Sequence, residues 1–529
     1  MAQSWHTRFE VVTKMQARGT TIALLASFAL LAAIPTLAAE TFDIGLAAGG
    51  TRIDAVAVAA RAHPAPTVVL VGGLHGDDGS AAAVRAAVAA YERRGRRPVN
   101  LLAVPLANPE NAALAFPATG IAYREHPESN VLWRWLGAQA PDLVLIAGED
   151  AGLIGALNSQ AVADMGRIPA RAWSGQSSPK GGDLAVLDGV IEESEAHAEL
   201  QRRRARSPRQ LAEELATRYG RDFDQPWYIG AIALIARTRL GSLEDVQKLV
   251  EPYLDGRKDS LAQPSALVMA GHIIFTELAR RTGDPRYAAL VRRVADLGFD
   301  SSGQMLEAMP YNGQFSDSVF MGTVIVAQAG ALTGEKRYFD MADRHLRFME
   351  HLDLRPDGLY RHQPATDAAW GRGNGFAALG LALLLPELPH DHPGYAHALQ
   401  SYRSLMAALL PLQNRDGLWR NVVDHPGAYP EFSATAMIGF ALQRGLGNGW
   451  IEGPRYRAAV ERAWLAVDSR TSSSGTFIDV CESTARMTSL DQYLQRAAIL
   501  GPDARGGAMA MLFATELMAA PAGPRRFRP

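Results

Sequence analysis

The chain shows two patterns of hydrophobic and polar positions, divided near residue 173. Within residues 41–173, short apolar runs with the length of β-strands alternate with helical segments. The predicted elements are strands at 52–59, 67–71, 100–104 and 142–146 and a helix over 81–94. Strands separated by helices indicate a small α/β domain.

From residue 207 to residue 518, nearly every segment has the helical period. Two stretches repeat 51 residues apart, GHIIFTELARRTGDPRY (271–287) and GTVIVAQAGALTGEKRY (322–338), and a third helix over 375–385 leads to 389–395 at similar spacing. Each repeat predicts one helical hairpin, and about a dozen helices predict six hairpins. We therefore expect a mainly α fold, a closed six-hairpin (α/α)6 barrel preceded by the α/β domain, with an open solenoid as the alternative.

The first 39 residues have the pattern of an export signal. Arg18 precedes an apolar run from Ile22 to Ile34, and small residues follow at 36–39. We therefore expect an exported protein, periplasmic or secreted, without a membrane anchor after cleavage. The remaining predicted boundaries are the α/β domain at 40–173, a linker at 174–206 that begins with SGQSSPKGG, and the barrel at 207–522.

Composition narrows the choice of partners. The 529 residues are 48% hydrophobic and 20% charged, which is typical of a globular protein. The formal net charge is −2, so nothing favours nucleic acid or an anionic membrane as a partner. The lone Cys481 cannot form a disulfide within the chain, so stability must come from core burial.

Polar and aromatic residues concentrate in three motifs of the helical half: GQFSDSVFM (313–321), GLYRH (358–362) and WGRGNGF (370–376). Asp317 opens an apolar helix, where it could cap the helix or point a carboxyl into a pocket. His362 follows a turn and could be a hydrogen-bonded loop residue. In the third motif, the glycines would admit a ligand, Trp370 offers a stacking face and Arg372 can grip a carboxylate.

The three motifs in this order resemble glycoside hydrolase families 88 and 105, the unsaturated glucuronyl and rhamnogalacturonyl hydrolases, which are six-hairpin α/α barrels. The resemblance covers roughly residues 209–518. It implies that Asp317 is the catalytic aspartate and that His362, Trp370, Arg372 and Asn374 line the pocket. The chain departs from the family pattern in three places: residues 260–265 lack the usual second acid, no His lies between 303 and 316, and Phe376 replaces the usual Trp.

The resemblance also implies a reaction. Asp317 would protonate C4 of a 4,5-unsaturated uronic acid at the end of a lyase-generated oligosaccharide, and water would then add at C5. Arg372 would pair with the substrate carboxylate, and Trp370 or Tyr360 would stack on the sugar. Because a helix N-terminus lowers the pKa of an acid, burial must dominate to keep Asp317 protonated. No cofactor is implied.

The α/β region carries a second resemblance. The segment GGLHGDD (72–78) after the predicted strand 67–71 resembles the metal turn of zinc carboxypeptidases and related deacylases, with His75 and Asp78 as the implied ligands. A catalytic zinc needs three protein ligands. The third should be a His after the strand at 142–146, but the chain there reads AGED (147–150). We therefore expect a degenerate, metal-free domain in which Asp77 or Asp78 caps the following helix.

The main hypothesis is thus an exported hydrolase that removes unsaturated uronic acid from oligosaccharides. A glycosidase acting on saturated uronides would need a second carboxylate, for which Glu431 is the candidate. A non-catalytic carbohydrate-binding protein is a third hypothesis, supported by the missing second acid. The fourth is zinc-dependent peptidase or deacylase activity of the α/β domain.

Overall fold

A six-stranded mixed sheet forms the amino-terminal part of the chain. The computed structural model describes residues 38–162, 164–174 and 184–519. Residues 1–37 of the predicted export signal, and residues 175–182 of the predicted linker sequence, lie outside the described residues. The elements of this part are β1 (Glu40–Leu46), β2 (Arg52–Val58), β3 (Thr67–Val71), α1 (Gly79–Glu92), β4 (Asn100–Val104), α2 (Pro127–Gln139), β5 (Leu143–Ala147), α3 (Leu153–Ser159) and β6 (Ala170–Trp173).

The strand order in this sheet is β1-β2-β4-β3-β5-β6. Strands β4, β3, β5 and β6 are parallel, and β1 and β2 form an antiparallel edge. After the first residues of β3 and β4, the central strands are apolar and buried, because both faces of the sheet are covered. The predicted α/β sheet is confirmed.

The rest of the described chain is mostly helical. Its α-helices and strands are α4 (Glu195–Arg204), α5 (Pro208–Ala216), α6 (Tyr228–Arg239), α7 (Leu243–Leu254), α8 (Ala266–Gly271), α9 (Ile273–Thr282), α10 (Pro285–Ala295), α11 (Ser318–Met321), α12 (Thr323–Thr333), α13 (Lys336–Asp353), α14 (Gly371–Leu384), α15 (Pro393–Leu409), β7 (Trp419–Arg420), β8 (Pro430–Glu431), α16 (Phe432–Gly447), α17 (Pro454–Ser469), β9 (Thr476–Cys481), α18 (Leu490–Leu494), β10 (Ala498–Pro502) and α19 (Ala504–Met518). Helix α4 lies inside the segment predicted as linker and packs on α17.

These helices form two concentric rings within residues 208–518. The inner ring runs α6, α8–α9, α11–α12, α14, α16 and α19, and α19 packs back on α6 to close it. The outer helices α5, α7, α10, α13, α15 and α17 pack against it. Inner helices are buried around most of their circumference, as in α14, and outer helices are amphipathic, as in α13. The predicted (α/α)6 barrel is confirmed, and the open solenoid is excluded.

The repeat seen in the sequence marks the turn between an inner and an outer helix. Gly283 ends α9 and Gly334 ends α12, with φ of 72° and 74° respectively. This left-handed conformation favours glycine, so the TG turn appears in both repeats. Within the described part of the chain, no helix combines the length and apolar character needed to cross a bilayer.

Candidate active site

Asp317 and His362 lie side by side at the start of the inner helices. Asp317 immediately precedes α11, and His362 lies in the loop between α13 and α14. The Nε2 atom of His362 is 3.7 Å from Oδ1 of Asp317, and both side chains are at most 5% exposed. The backbone holds the two segments together, because the Ser316 amide donates to the His362 carbonyl at 3.0 Å.

Burial sets the protonation of both groups. It raises the pKa of the Asp317 carboxyl to about 7, although Arg372, Arg496 and Arg505 each favour the charged form. Burial also lowers the pKa of the His362 imidazole to about 3, and nearby arginines add to this effect. An acid that is protonated below about pH 7 therefore faces a neutral imidazole.

Several buried polar atoms in this region have no hydrogen-bond partner. They are Ser316 Oγ, Asp317 Oδ1, His362 Nε2 and Arg372 Nε. Neither Ser316 nor Asp317 caps α11, so the interpretation of these residues as a helix cap is wrong. Since buried polar groups are normally paired, this cluster is suited to a polar ligand.

Aromatic side chains enclose His362. Phe315 stacks on the imidazole with ring centroids 4.6 Å apart, and Trp370 lies 4.5 Å away at a tilt. The Tyr493 hydroxyl contacts Nδ1 of His362 at 2.7 Å. This contact fixes the ring so that Nε2 faces Asp317.

Two predicted substrate-binding residues, Tyr360 and Asn374, make contacts within the protein. Tyr360 is 1% exposed, and its hydroxyl points to Glu350 on α13 at 3.5 Å. The Asn374 side chain accepts from the Tyr360 amide and donates to the carbonyls of Tyr360 and Trp370. Asn374 thereby fixes the GLYRH turn against α14, and substrate binding by either residue stays a prediction.

Arg372 binds backbone rather than presenting a free guanidinium. It is fully buried, and it donates to the carbonyls of Cys481 at 2.6 Å, Glu482 at 3.2 Å and Ser483 at 2.8 Å. Its guanidinium also lies 4.8 Å from the Trp370 ring centroid. Nε of Arg372 has no partner, but a bidentate grip on a substrate carboxylate would require at least one of these carbonyl bonds to break.

Sequence reasoning gave no role to three groups that the structure brings to this site. Tyr493 orients His362, and Arg496 donates to the carbonyls of Glu482 and Ser483 beside Arg372. Arg505 donates to Cys481 O at 3.2 Å. Tyr493 and Arg496 lie in the part of the chain that resembles the family in sequence, and this resemblance could have pointed to them as site residues.

Two further buried acids, Glu431 and Asp353, bear on the question of a second carboxylate. Glu431 is buried, but its carboxylate already accepts from the amides of Ser433, Ala434 and Cys481 and from the Ser433 hydroxyl. Asp353 is a better placed acid: it is buried, both carboxyl oxygens lack partners, and its charge interacts with that of Asp317. Burial raises the pKa of Asp353 to about 8.

His75 and Asp78, the zinc ligands that the second resemblance implies, make other contacts in the structure. His75 Nε2 lies 3.8 Å from Glu149, and both side chains are exposed. The Asp78 carboxylate accepts from the amides of Ser80 and Ala81 and caps α1, as expected for the degenerate form. Among the described residues, no group of three or more His, Cys, Asp or Glu side chains could hold a metal ion. The zinc carboxypeptidase resemblance is not confirmed.

Comparisons with known proteins identify the family of the barrel. The family model of Glycosyl Hydrolase Family 88 matches residues 242–520. An unsaturated rhamnogalacturonyl hydrolase, YesR, from Bacillus subtilis (strain 168) is 26% identical over 275 residues, which are 48% of this chain and 77% of that protein. An unsaturated 3S-rhamnoglycuronyl hydrolase from Alteromonas sp. (strain LOR) is 28% identical over 173 residues, 30% of this chain and 42% of that protein.

A solved structure supports the fold. A possible member of the GH105 family from Salmonella enterica superposes with a TM-score of 0.50 at 19% identity, covering 65% of this chain and 98% of that one. The family model spans more than half of the chain, and the barrel that it covers contains Asp317, His362 and the WGRGNGF motif. The chain therefore belongs to glycosyl hydrolase family 88 and is a glycoside hydrolase.

Proposed function

We propose that this glycoside hydrolase removes a 4,5-unsaturated uronic acid from the non-reducing end of oligosaccharides produced by polysaccharide lyases. Two relatives are named as hydrolases of unsaturated sugars. The observation that carries the proposal is Asp317, a buried carboxyl whose pKa is raised to about 7 and whose Oδ1 has no partner. Such a group can hold a proton near neutral pH and release it to a substrate.

The proposed reaction uses one carboxyl twice. The C4=C5 bond of the unsaturated ring is an enol ether, and Asp317 transfers its proton to C4. The positive charge then forms at C5 and is stabilised by the ring oxygen. Water adds to C5 while the Asp317 carboxylate accepts a proton from it, and the resulting hemiketal opens and releases the rest of the oligosaccharide. This differs from ordinary glycosidases, in which two carboxyl groups divide the roles.

The neighbouring groups support this cycle. Neutral His362 directs Nε2 towards Asp317 Oδ1, and Nε2 can accept a hydrogen bond from a sugar hydroxyl or from the attacking water. Arg372, Arg496 and Arg505 provide a positive field for the substrate carboxylate and for ionised Asp317. In this proposal, Arg372 acts through that field and through its bonds to backbone.

The test is turnover of a panel of lyase-derived unsaturated disaccharides, followed by the loss of ultraviolet absorbance of the conjugated carboxylate. Saturated uronides run alongside. We expect the wild type to consume at least one unsaturated substrate and Asp317→Asn to lose about 100-fold or more in kcat. Asp245→Asn is the matched control because it makes the same chemical change on the exposed surface of α7.

The panel separates the hypotheses. Release from saturated uronides without loss of absorbance on any unsaturated sugar would favour the glycosidase alternative. If Asp317→Asn kept more than about one tenth of the wild-type rate, the proposed acid role would be wrong.

A further inference from the structure

A buried ion cluster joins the α/β region to the barrel close to the active site. Nη1 of Arg134, on α2, lies 2.6 Å from Oδ1 of Asp479 on β9, and both side chains are at most 7% exposed. The hydroxyl of Tyr123, also from the α/β region, donates to the same oxygen at 3.0 Å. Arg470 lies 3.4 Å from the other carboxylate oxygen.

Asp479 has an unusual backbone. Its φ is 65°, and the register of β9 with β10 shifts around it, so that it has no partner in the ladder between Ile478 and Val480. A non-glycine residue in the left-handed region is strained unless its surroundings hold it. The three groups on its carboxylate supply that support, and two of them come from the α/β region.

The segment held in this way leads directly to Arg372. Two residues after Asp479, the Cys481 amide donates to Glu431, and the Cys481 carbonyl begins the row of three carbonyls that binds the Arg372 guanidinium. Arg372 is in turn the strongest charge that favours ionised Asp317. A chain of buried contacts thus runs from α2 to Arg372, whose charge acts on the proposed acid.

A second contact leads to the aromatic side chains around His362. The Tyr123 ring stacks on Tyr429 with centroids 4.3 Å apart and planes 5° from parallel. The Tyr429 carbonyl accepts from the Asn421 amide at 2.8 Å, and the Asn421 side chain contacts Trp370 Nε1 and the Tyr493 carbonyl. Tyr123 therefore supports the three carbonyls that bind Arg372 through Asp479, and the aromatic side chains around His362 through Tyr429.

We propose that Tyr123 and Arg134 are positioning residues for the hydrolase site, and that the α/β region serves the barrel by holding Asp479 and, through it, the carbonyls that fix Arg372. This inference rests on the proposed function for its activity readout. It gives the amino-terminal region a role in the barrel reaction without any chemistry of its own.

The first test is Tyr123→Phe, which keeps the stacked ring and removes only the bond to Asp479. Arg134→Met removes the charge while keeping a long apolar stem. Gln139→Ala is the matched control: it lies on the same helix at the same junction, but its amide contacts Asp416 on another part of the barrel. For each folded variant, kcat, KM and the pH profile of kcat are measured well below its melting temperature.

We expect both cluster variants to lose about tenfold or more in kcat with a smaller change in KM, because the acid is misplaced while the substrate can still enter. A displaced Arg372 no longer favours ionised Asp317, so the alkaline limb of the kcat profile should move to higher pH. A purely structural junction would lower the melting temperature without moving this limb. A kcat within about twofold of the wild type for both variants would overturn the proposal.

Amide hydrogen exchange provides a readout that needs no substrate. The amides of Cys481 and Glu482 are hydrogen-bonded to Glu431 and to the Ala497 carbonyl. We expect peptides covering β9 and Glu482 to exchange faster in Tyr123→Phe and Arg134→Met than in Gln139→Ala. Unchanged exchange would overturn the positioning role, whereas faster exchange in an enzyme without turnover on any unsaturated sugar would count against the proposed function alone.

Discussion

The Nε2 atom of His362 lies 3.7 Å from Oδ1 of Asp317, and neither atom has a hydrogen-bond partner in the described structure. The separation exceeds a hydrogen bond, so the two side chains do not satisfy each other. Burial stabilises the neutral form of each, a carboxylic acid beside an uncharged imidazole. Asp317, a proton donor, thus lies beside His362 Nε2, a hydrogen-bond acceptor. A substrate hydroxyl or a water can bind between the two.

The first prediction concerns the pH dependence of turnover. Because the pKa of Asp317 is raised to about 7, the acid needed for protonation of C4 is present below that pH and lost above it. We expect kcat/KM, which reports the free enzyme, to be flat between about pH 5 and 6 and to fall about tenfold per pH unit well above pH 7. The measurement is the initial rate at disaccharide concentrations well below KM across this range.

The same profile tests the state of His362, whose pKa is lowered to about 3. No acid limb from imidazole protonation should appear near the usual pKa of histidine. His362→Gln, which keeps a polar side chain, should lower kcat but leave the alkaline limb in place. A limb that disappeared with this substitution would assign it to His362 instead of Asp317.

The second prediction is that Asp317→Asn stabilises the protein at alkaline pH. The folded-state pKa of Asp317 lies above the unfolded value of 3.8, so its contribution to stability is complete below about pH 3.8 and is lost as pH rises through about 7. A difference of this size corresponds to about 4 kcal/mol at pH 8. Asparagine carries no charge at any pH and avoids this loss.

The measurement is the free energy of unfolding of wild type and Asp317→Asn at about pH 5 and pH 8. The free energy of unfolding of the variant should increase relative to that of the wild type as pH rises. Asp245→Asn, at an exposed position, should track the wild type at both pH values. An Asp317→Asn difference that stays constant between the two pH values would mean that the carboxyl is ionised in the folded protein throughout.

Much of the fold could be predicted from the periodicity of the chain. Strands β3 and β4 were predicted with their observed bounds because each is a short apolar run ended by turn residues. Helix α2 was missed because it is buried around most of its surface and its polar residues Glu128, Ser129, Asn130 and Arg134 are buried too. Its sequence therefore lacks the separate polar and apolar faces that reveal the helical period. Helix α4 was missed because its sequence is almost wholly polar.

The site could be predicted only in part. Asp317 and His362 were identified from local motifs, and their proximity depends on neighbouring inner helices that the repeat implies. The partners of Arg372 were not foreseeable, because they are backbone carbonyls more than a hundred residues later in the chain. An Arg near a catalytic acid suggests a binding site for a substrate carboxylate. Only the tertiary structure shows that backbone carbonyls already accept hydrogen bonds from this guanidinium.

The third prediction follows from those partners. Arg372→Lys should lower the free energy of unfolding by about 2–4 kcal/mol, because one ammonium cannot reach three carbonyls and leaves buried acceptors unpaired. It should also lower kcat, since the charge beside Asp317 moves. Urea unfolding and turnover measure the two effects.

Arg347→Lys is the matched control, because Arg347 is exposed on α13 and pairs only with Asp343 four residues earlier. Its effect should stay within about 0.5 kcal/mol. If Arg372→Lys were equally mild, Arg372 would be free to bind substrate directly, as the motif first indicated.

The fourth prediction concerns the glycines of the WGRGNGF motif, which the sequence indicated as points of close approach to a ligand. A Cβ on Gly371 would lie 2.3 Å from the Arg420 carbonyl oxygen, so this glycine admits the backbone of β7 instead. The Gly371 amide also donates to the Asn421 carbonyl at 2.7 Å, which ties the start of α14 to that segment. A rigid backbone atom cannot move aside as a flexible side chain would.

Gly371→Ala should therefore destabilise the protein by about 2 kcal/mol or more and displace both Trp370 and Arg372, lowering kcat as well. Gly155→Ala is the control: it lies in α3, and a Cβ there meets no atom within 4 Å. That substitution should stabilise by about 0.5–1 kcal/mol, because alanine loses less backbone entropy in a helix. If Gly371→Ala behaved like Gly155→Ala, the contact between α14 and β7 would be looser than the structure shows, and the motif would regain its interpretation as a ligand loop.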